Sequence, residues 1–481
     1  MKRKFLIDFL FLLAINFLVK PIYIFGIDRV VQNEVGPEDY GIYFALFNFT
    51  LLYQIILDLG ISYYNNRHIA QNNNLLKKYL PNALVAKVIL ANVFGLILLS
   101  SAYGLNFSQQ QLQLLMFIAG STILISLIQY FRSNIAALQK FKLDGIISIL
   151  DKLLMILALG YVLFMSNSIE ISILLFVKIQ LACYLITVIV SGSIVVYLAK
   201  GLSFKFNKHY IFDILKQSFP YALAVFLMTL YSRVDAVMLK QMLPDGDLQA
   251  GIYATGYRLL DASNMIGLLL AGMLLPIFSK MIKQQEDVKP LVQIAIKMLL
   301  AFAIVVGLCC YFFSENIMNL LYINTNEVYY RVLSLLMITL ISIVVIHVYG
   351  TLLSANGSLK PIIVIALFGV VANIAINYTL IPNIKVEGAA IATLITQSLV
   401  ALAIMITAIR IFKLPYNFKL VTKILGYTAL LGFAIFFLSL SNLAWEISFF
   451  ISLAISAILA YSFGLLNLKQ LLSLRQTKEI N

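Results

Sequence analysis

The sequence predicts an all-α protein that crosses a membrane about fourteen times, and two observations predict this fold class. Of the 481 residues, 62% are hydrophobic and only 12% are charged, with a mean hydropathy of +0.95. A soluble domain carries about 25% charged and about 45–50% apolar residues. The apolar residues also form runs that reach the ~20 residues needed to span a bilayer. Because little sequence remains between these runs, helices rather than a barrel must satisfy the backbone hydrogen bonds.

The first apolar run, 5–27, follows Met-Lys-Arg-Lys. It is too long for the apolar core of a signal peptide and no small-residue cleavage site follows it, so we expect a retained transmembrane helix. Thirteen further runs come after it. The predicted spans are 5–27, 41–63, 81–103, 112–131, 145–165, 169–198, 218–242, 251–276, 291–313, 332–354, 361–381, 388–409, 420–440 and 446–466.

The basic residues lie mostly on one side of the predicted membrane. If the N-terminus is cytoplasmic, the cytoplasmic segments hold 24 of the 35 Lys and Arg residues, and the external loops hold only four. One miscounted span would invert every later segment, so this asymmetry supports the span count. We therefore expect both termini in the cytoplasm. The net charge of +14 then reflects topology and anionic lipid rather than a nucleic-acid partner.

Two stretches suggest an internal repeat. The segment Gly36-Pro-Glu-Asp-Tyr-Gly-Ile-Tyr43 precedes the second span, and Pro244-Asp-Gly-Asp-Leu-Gln-Ala-Gly-Ile-Tyr253 precedes the eighth, about 210 residues later. Six spans separate them, so the repeat is parallel, as in transporters whose substrate site lies between two halves. Chance similarity of short loops is the alternative. The repeat predicts a first lobe at 1–200, a second at 201–413, and a last pair of spans with a cytoplasmic tail at 414–481.

Seven Lys and Arg residues lie well inside the predicted spans, more than a helical turn from their ends, and each basic side chain at mid-bilayer costs ~2.5–3.5 kcal/mol. Such residues usually face a polar cavity and mark a pathway. Lys87 and Lys297 lie near a cytoplasmic end, where snorkelling explains them as well as function does. We expect the other five to face an anion such as a pyrophosphate or sugar in a central cavity: Lys20, Lys152, Lys178, Arg233 and Arg258.

Acidic residues share this region. Asp235 and Asp261 lie near the predicted depth of Arg233 and Arg258, and are candidates either for charge pairing or for binding a coupling ion. We expect no catalytic residue, metal site or other cofactor. The cysteines have no metal-ligand spacing and no disulfide framework, since all three lie within apolar runs: Cys183, Cys309 and Cys310.

Three further stretches carry a resemblance to a known family: Asp58-Leu-Gly60, Arg67-His-Ile-Ala70, and the chain from Arg233 to Arg258. With the Gly36 loop and the fourteen spans, they resemble the polysaccharide-unit (O-antigen or oligosaccharide, Wzx-type) flippases of the multidrug/oligosaccharidyl-lipid/polysaccharide (MOP) exporter superfamily. The resemblance implies a MATE-like fold of two six-helix lobes related by a parallel pseudo-two-fold, plus two C-terminal helices. It also implies alternating access around a cationic cavity.

This resemblance implies a non-enzymatic function in a bacterial inner membrane, namely flipping of polyprenyl-pyrophosphate-linked oligosaccharide units from the cytoplasmic to the periplasmic leaflet. The implied partners are the lipid-linked sugar, membrane lipid and polysaccharide-assembly proteins, with Na⁺ or H⁺ as the coupling ion where transport is coupled. In the related lipid II flippases the last two helices form a groove for the lipid tail. The last two spans, which carry no charged residue apart from Lys423 and Glu446 near their ends, fit that role.

Other functions remain open at this point. A cation-coupled multidrug antiporter shares the superfamily, although its acidic cation sites have no clear counterpart here. A membrane glycosyltransferase, polymerase or ligase usually places carboxylates or an Arg on a sizeable periplasmic loop, and the longest external loop, 314–330, holds only Glu315 and Glu327. A purely structural scaffold does not need charges inside its spans.

Overall fold

The computed structural model describes residues 11, 14–62, 65, 69, 75–138, 140–166, 170–199, 208–415 and 418–465. The basic N-terminus, most of the Arg67-His-Ile-Ala70 motif and the C-terminal tail lie outside these residues. The described part forms thirteen helices: α1 (Ala14–Leu57), α2 (Leu75–Gly104), α3 (Gln109–Ala137), α4 (Phe141–Phe164), α5 (Ile173–Leu198), α6 (Lys208–Met242), α7 (Gly246–Lys283), α8 (Lys289–Phe312), α9 (Ser314–Leu321), α10 (Glu327–Asn356), α11 (Leu359–Phe412), α12 (Phe418–Ser439) and α13 (Trp445–Ser462).

Two of the helices each contain a break, and each of these helices is thereby divided into two spans. In α1 the break is at Gly36, whose φ of 85° and ψ of 165° suit glycine and few other residues. Pro37 follows and begins the next helical segment, where its missing N–H has no partner to lose. In α11 the break is at Ile384 and Lys385. Twelve described helices are long and apolar enough to cross a membrane, and with these two breaks they supply fourteen spans, which confirms the predicted fold class.

The connections differ from those that polarity predicts. The segment 28–40 was expected to be an external loop, but it is helical on both sides of Gly36. Polar residues such as Gln32 and Glu34 lie on the helical part of this segment. Helix α6 shows the same effect, because its 35 residues extend about 52 Å, whereas the hydrocarbon core is about 30 Å thick. The loop prediction was therefore wrong at this position, because hydropathy detects the apolar part of a helix and not its ends.

The chain forms two compact units, Met1–Ala254 and Thr255–Asn481. In the first unit, α3 packs along α5, and α1 packs against α3, α4 and α6. In the second unit, α10 packs against α8 and α11, and the α12–α13 pair packs against α8. The lobe boundaries that the repeat suggests, at 200 and 413, stay a prediction.

Two glycines bring the repeated segments together within the first unit. A β-carbon on Gly41 would overlap the carbonyl oxygen of Asp247, and one on Gly251 would overlap that of Pro37. Both pairs, Pro37 with Asp247 and Gly41 with Gly251, are 210 residues apart, which is the offset of the sequence repeat. The Nε2 of Gln32 also donates a hydrogen bond to the carbonyl of Gly251, 3.2 Å away. The repeated segments therefore meet backbone to backbone through equivalent positions.

Candidate functional site

A π-helical segment lies in the middle of the first span. Pro21 lies directly before it and cannot donate a backbone hydrogen bond, and residues Ile22–Asp28 then follow π-helical geometry. Such segments are rare in proteins overall, but those that occur are often found at functional sites. They change the direction of the side chains that follow. Here Tyr23 and Ile27 are buried within the first unit. The sequence reveals the proline but not the π-helical geometry.

Lys152 on α4 lies between two aromatic rings. Its Nζ is 4.5 Å from the ring centroid of Tyr23 and 5.3 Å from that of Tyr184 on α5. It donates a hydrogen bond to the Tyr184 hydroxyl at 3.2 Å, and it lies 3.4 Å from an Oδ2 of Asp151. Cation–π contacts strengthen when the charge is removed from water, and the Lys152 side chain is only 21% exposed. These contacts fix a positive charge at one place inside the membrane-spanning unit.

A buried hydrogen-bond network supports these rings. The Nε2 of Gln180 donates to the hydroxyl of Tyr23 at 3.1 Å, and Gln180 also contacts the hydroxyl of Tyr43 at 3.4 Å. Gln180 and Tyr184 lie one turn apart on the same face of α5, as residues at i and i+4 do. The network joins α1 to α5 and sets the position of the Tyr23 ring against Lys152.

Further charges surround Lys152. Lys20, on the first span, is half-buried and lies within electrostatic range of Arg132, Asp151 and Lys152. Arg132 at the end of α3 makes a two-bond pair with Asp144 of α4, at 2.8 and 3.2 Å. These residues carry three positive charges and two negative ones. We refer to Lys20, Arg132, Asp144, Asp151 and Lys152 as the α4 charge cluster.

The structure places Lys178 away from this cluster. It is exposed on α5 and its Nζ lies 5.5 Å from the ring centroid of Phe117. Leu185 and Ile189 follow it at i+7 and i+11, on the same face, and are 49% and 59% exposed. Gln180 and Tyr184 are on the opposite, buried face. The structure thus places Lys20 within electrostatic range of Lys152 but leaves Lys178 on an apolar outer face.

Of the other predicted residues in the first unit, Asp235 on α6 is fully buried and accepts a hydrogen bond from the hydroxyl of Tyr253 at 3.0 Å. Arg233 is half-buried on the same helix. A buried carboxylate in a membrane helix is expensive and is typical of an ion or proton site, or of an internal charge pair. The structure is compatible with both interpretations of Asp235.

Arg258 and Asp261 belong to the second unit. Arg258 is buried and donates a hydrogen bond from Nη1 to the hydroxyl of Tyr322 at 2.7 Å, with its guanidinium over the Tyr322 ring at 5.8 Å. Asp261 is half-buried, one turn further along α7. The contact with Tyr322 fixes the direction of the Arg258 side chain.

Two further polar groups in the second unit lie outside the predicted set. His347 Nε2 is 2.7 Å from Oδ1 of Asn264, and its ring fits against Gly267, where a β-carbon would lie 2.6 Å from the ring Cδ2. On α11, the side chain of Asn377 donates to that of Asn373 at 3.0 Å, and both are fully buried. Only the i, i+4 spacing of the two asparagines in an apolar run signals this pair in the sequence. Among the described residues, no group of three or more His, Cys, Asp or Glu side chains is placed to hold a metal ion.

Sequence reasoning also missed most of the residues around Lys152. No prediction made from the sequence singles out Tyr23, Tyr43 and Tyr184, yet they are buried and hydrogen-bonded. Arg132 falls just outside the predicted span 112–131, yet it lies on α3 and pairs with Asp144. The i, i+4 spacing of Gln180 and Tyr184 was the available signal for a polar face on α5.

The family to which the chain belongs follows from a match to a family model. The model described as "Polysaccharide biosynthesis protein" matches residues 6–282, more than half of the chain. The chain belongs to this family. A second model, MatE, matches residues 220–379. A comparison with curated protein sequences gives no match.

Solved structures show the same fold. "Lipid II flippase MurJ, inward closed conformation" aligns with a TM-score of 0.69 at 15% identity, over 94% of this chain and 97% of that one. An inward-facing multidrug resistance MATE transporter of the MOP superfamily aligns with a TM-score of 0.65 at 13% identity, over 84% and 98%. A MOP superfamily transporter from Pyrococcus furiosus aligns with a TM-score of 0.62 at 14% identity, over 85% and 94%. The predicted family and the MATE-like membrane fold are confirmed, and these three proteins are transporters rather than enzymes.

Proposed function

We propose that this protein flips polyprenyl-pyrophosphate-linked oligosaccharide units from the cytoplasmic to the periplasmic leaflet of a bacterial inner membrane. The observation that carries this proposal is Lys152, a cation held between two tyrosine rings inside a membrane-spanning unit of a polysaccharide biosynthesis family protein, with Lys20 within electrostatic range. The distribution of 24 Lys and Arg residues on one predicted side and four on the other supports cytoplasmic termini.

The α4 charge cluster suits a pyrophosphate. Lys20 adds a positive charge beside two ion pairs, Lys152 with Asp151 and Arg132 with Asp144. In a low-dielectric interior, attraction between these cations and an anion is much stronger than in water, which offsets part of the cost of dehydrating the phosphate groups. Lys152 is already held by two tyrosines, so little side-chain order is lost when the anion arrives.

The last two helices suit an alkyl chain. Large apolar side chains on their outer surfaces are strongly exposed, among them Leu425 and Phe433 on α12 and Phe450 and Ile458 on α13, at 62–69%. In the described part, α12 and α13 pack mainly on each other and on α8. The proposal assigns this apolar surface to the polyprenyl tail, while the sugar and pyrophosphate pass through a central cationic cavity.

The driving force has two candidate sources. With a negative interior, outward movement of an anion is downhill by ~2.3 kcal/mol per charge per 100 mV. A coupling Na⁺ or H⁺ is the second source, with the buried Asp235 or the half-buried Asp261 as its carboxylate. The two sources predict different responses to collapse of the potential at constant ion gradients.

A cation-coupled multidrug antiporter is the second candidate function, favoured by the MatE match over residues 220–379. The cationic α4 charge cluster argues against it, because organic cations would be repelled by Lys20 and Lys152. A polymerase or ligase finds less support, because the three similar solved structures are transporters and the longest predicted external loop, 314–330, holds only Glu315 and Glu327.

The test of the proposed function is a flipping assay in proteoliposomes that contain the purified protein and a fluorescent polyprenyl-pyrophosphate oligosaccharide. Units that reach the outer leaflet are cleaved by an added glycosidase. We expect Lys152→Ala to slow flipping roughly 30-fold or more, because truncating one partner of a buried hydrogen-bonded charge pair costs about 2 kcal/mol or more. Lys360→Ala removes an exposed Lys at the start of α11 and is the matched control. Equal rates in both variants would contradict the cationic-cavity mechanism.

A further inference from the structure

The chain makes a tight turn where α1 ends. After the 3₁₀ turn Gln54–Leu57, Leu59 and Gly60 take positive φ values of 43° and 84°. This turn stops the helix, so the carbonyl of Leu57 accepts from side chains instead of from the next helical turn. The donors are Lys87 of α2 at 3.1 Å and the hydroxyl of Ser126 of α3 at 3.3 Å.

Lys87 does not extend to the membrane surface. Its side chain is only 3% exposed, and Nζ contacts three oxygens of different kinds. These are the carboxylate Oδ1 of Asp58 at 2.7 Å, the hydroxyl of Ser126 at 3.0 Å and the carbonyl of Leu57 at 3.1 Å. An ammonium group has three N–H donors and no acceptor, so each donor has an oxygen. The ring of Tyr130 lies 5.5 Å from the same nitrogen.

Ser62 also contacts the Asp58 carboxylate and fixes its orientation. The Oδ1 of Asp58 also accepts from the hydroxyl of Ser62 at 2.5 Å, and its Oδ2 accepts from the Ser62 backbone N–H at 3.2 Å. The carboxylate therefore stays ordered and directed toward the position of the Lys87 nitrogen. A carboxylate, a backbone carbonyl and a hydroxyl are hard oxygen ligands of the kind that bind s-block metal cations.

We propose that this group of oxygens is a monovalent cation site whose occupant is the Lys87 ammonium. The side chain brings a tethered cation to Leu57, Asp58 and Ser126, and it excludes Na⁺ and K⁺ from that position. The Asp58 side chain is 28% exposed, and removal of the ammonium takes the counter-ion away from this partly buried carboxylate, leaving a vacancy that an alkali cation stabilises. In the native protein this site takes no part in ion coupling, and a coupling ion must bind elsewhere.

The test compares thermal unfolding of the purified wild type and of Lys87→Ala in choline chloride, NaCl and KCl at equal ionic strength. A ligand that binds only the folded state raises the unfolding midpoint, and the rise continues with the logarithm of the ligand concentration above Kd. We expect Lys87→Ala to unfold at a lower temperature than wild type in choline chloride and to recover part of that loss in NaCl or KCl. The measured quantity is the salt response of the variant in excess of that of the wild type, which removes the effect of ions bound at other sites.

The control is the double variant Lys87→Ala with Asp58→Asn, which removes the carboxylate and should lose the additional salt response. Lys87→Ser, which supplies another hydroxyl, is measured in the same way in case Lys87→Ala does not fold. Equal salt responses in wild type and both single variants would overturn the proposal. Failure of both single variants to fold in saturating NaCl and KCl would also overturn it, since a bound ion should restore them.

Discussion

At the scale of single residues, Lys152 combines a charge with a fixed position. The rings of Tyr23 and Tyr184 hold its Nζ at 4.5 and 5.3 Å from their centroids, and the Tyr184 hydroxyl accepts its hydrogen bond. A lysine that moves freely in a wide cavity would lose side-chain entropy on binding an anion. The contacts of Lys152 with the two tyrosines have already restricted its side chain, so little further entropy would be lost. The tyrosines are therefore positioning residues for the cation.

This interpretation predicts the effect of Tyr184→Phe, which keeps the ring and removes the hydroxyl. A hydrogen bond to a charged group contributes about 1.5–3 kcal/mol, so we expect flipping to slow about tenfold with little change in protein yield. The proteoliposome assay measures the rate. Tyr197→Phe is the matched control, because Tyr197 is on the same helix and is 83% exposed. Wild-type rates in Tyr184→Phe would show that the hydroxyl does not position Lys152.

At the scale of helices, Gly41 and Gly251 allow two segments to touch through their backbones. A β-carbon at either position overlaps a carbonyl oxygen of the other segment, so Gly41→Ala must separate them. Ala45 lies one turn further on the same helix face and is buried. We expect a cysteine at Ala45 to react several-fold faster with a membrane-impermeant maleimide when Gly41→Ala is also present.

The control for this experiment is Gly95→Ala, because Gly95 on α2 has no atom within 4 Å of an added β-carbon. The native cysteines give little background, since all three are buried. If labelling at Ala45→Cys is the same with Gly41→Ala as with Gly95→Ala, the close contact does not keep the two segments together.

Tyr427 on α12 makes hydrogen bonds that link α12 to both α8 and α13. Its buried hydroxyl donates to the carbonyl of Ala301 on α8 at 3.2 Å and lies 2.8 Å from the hydroxyl of Ser456 on α13. Tyr427→Phe removes these bonds, and we expect a loss of about 1 kcal/mol, which for 481 residues lowers the thermal unfolding midpoint by about 1 °C. Tyr461→Phe on α13, where the side chain is 67% exposed, should leave the midpoint unchanged. Equal midpoints in the two variants would show that Tyr427 does not hold the pair.

At the scale of the whole molecule, the sequence predicts the number of spans but not their ends. Apolar runs and the asymmetry of Lys and Arg determine fourteen spans, and the structure agrees because two helices break at Gly36 and at Ile384–Lys385. Helix ends depend on hydrogen bonds and packing outside the hydrocarbon region, which composition does not record. This is why the segment 28–40 looked like a loop.

The candidate site is less predictable than the fold, for a physical reason. A lysine in an apolar run shows that a charge is inside the membrane but not which helix face carries it. Lys152 and Lys178 look alike in sequence, yet one is enclosed by tyrosines and the other lies on an outer face with Leu185 and Ile189. Lys87 resembles a snorkelling residue, yet three oxygens surround its ammonium. Each difference depends on a neighbouring helix.

The central claim is that the whole molecule carries lipid-linked sugar units across the membrane. The most direct measurement is made on cells depleted of the protein, from which polyprenyl-pyrophosphate oligosaccharides are extracted after a lectin or glycosidase has been added to the periplasm. The account predicts a build-up of completed units that are shielded from the periplasmic probe. A build-up of single units on the periplasmic face would contradict it and indicate a polymerase or ligase, and no build-up at all would favour the antiporter.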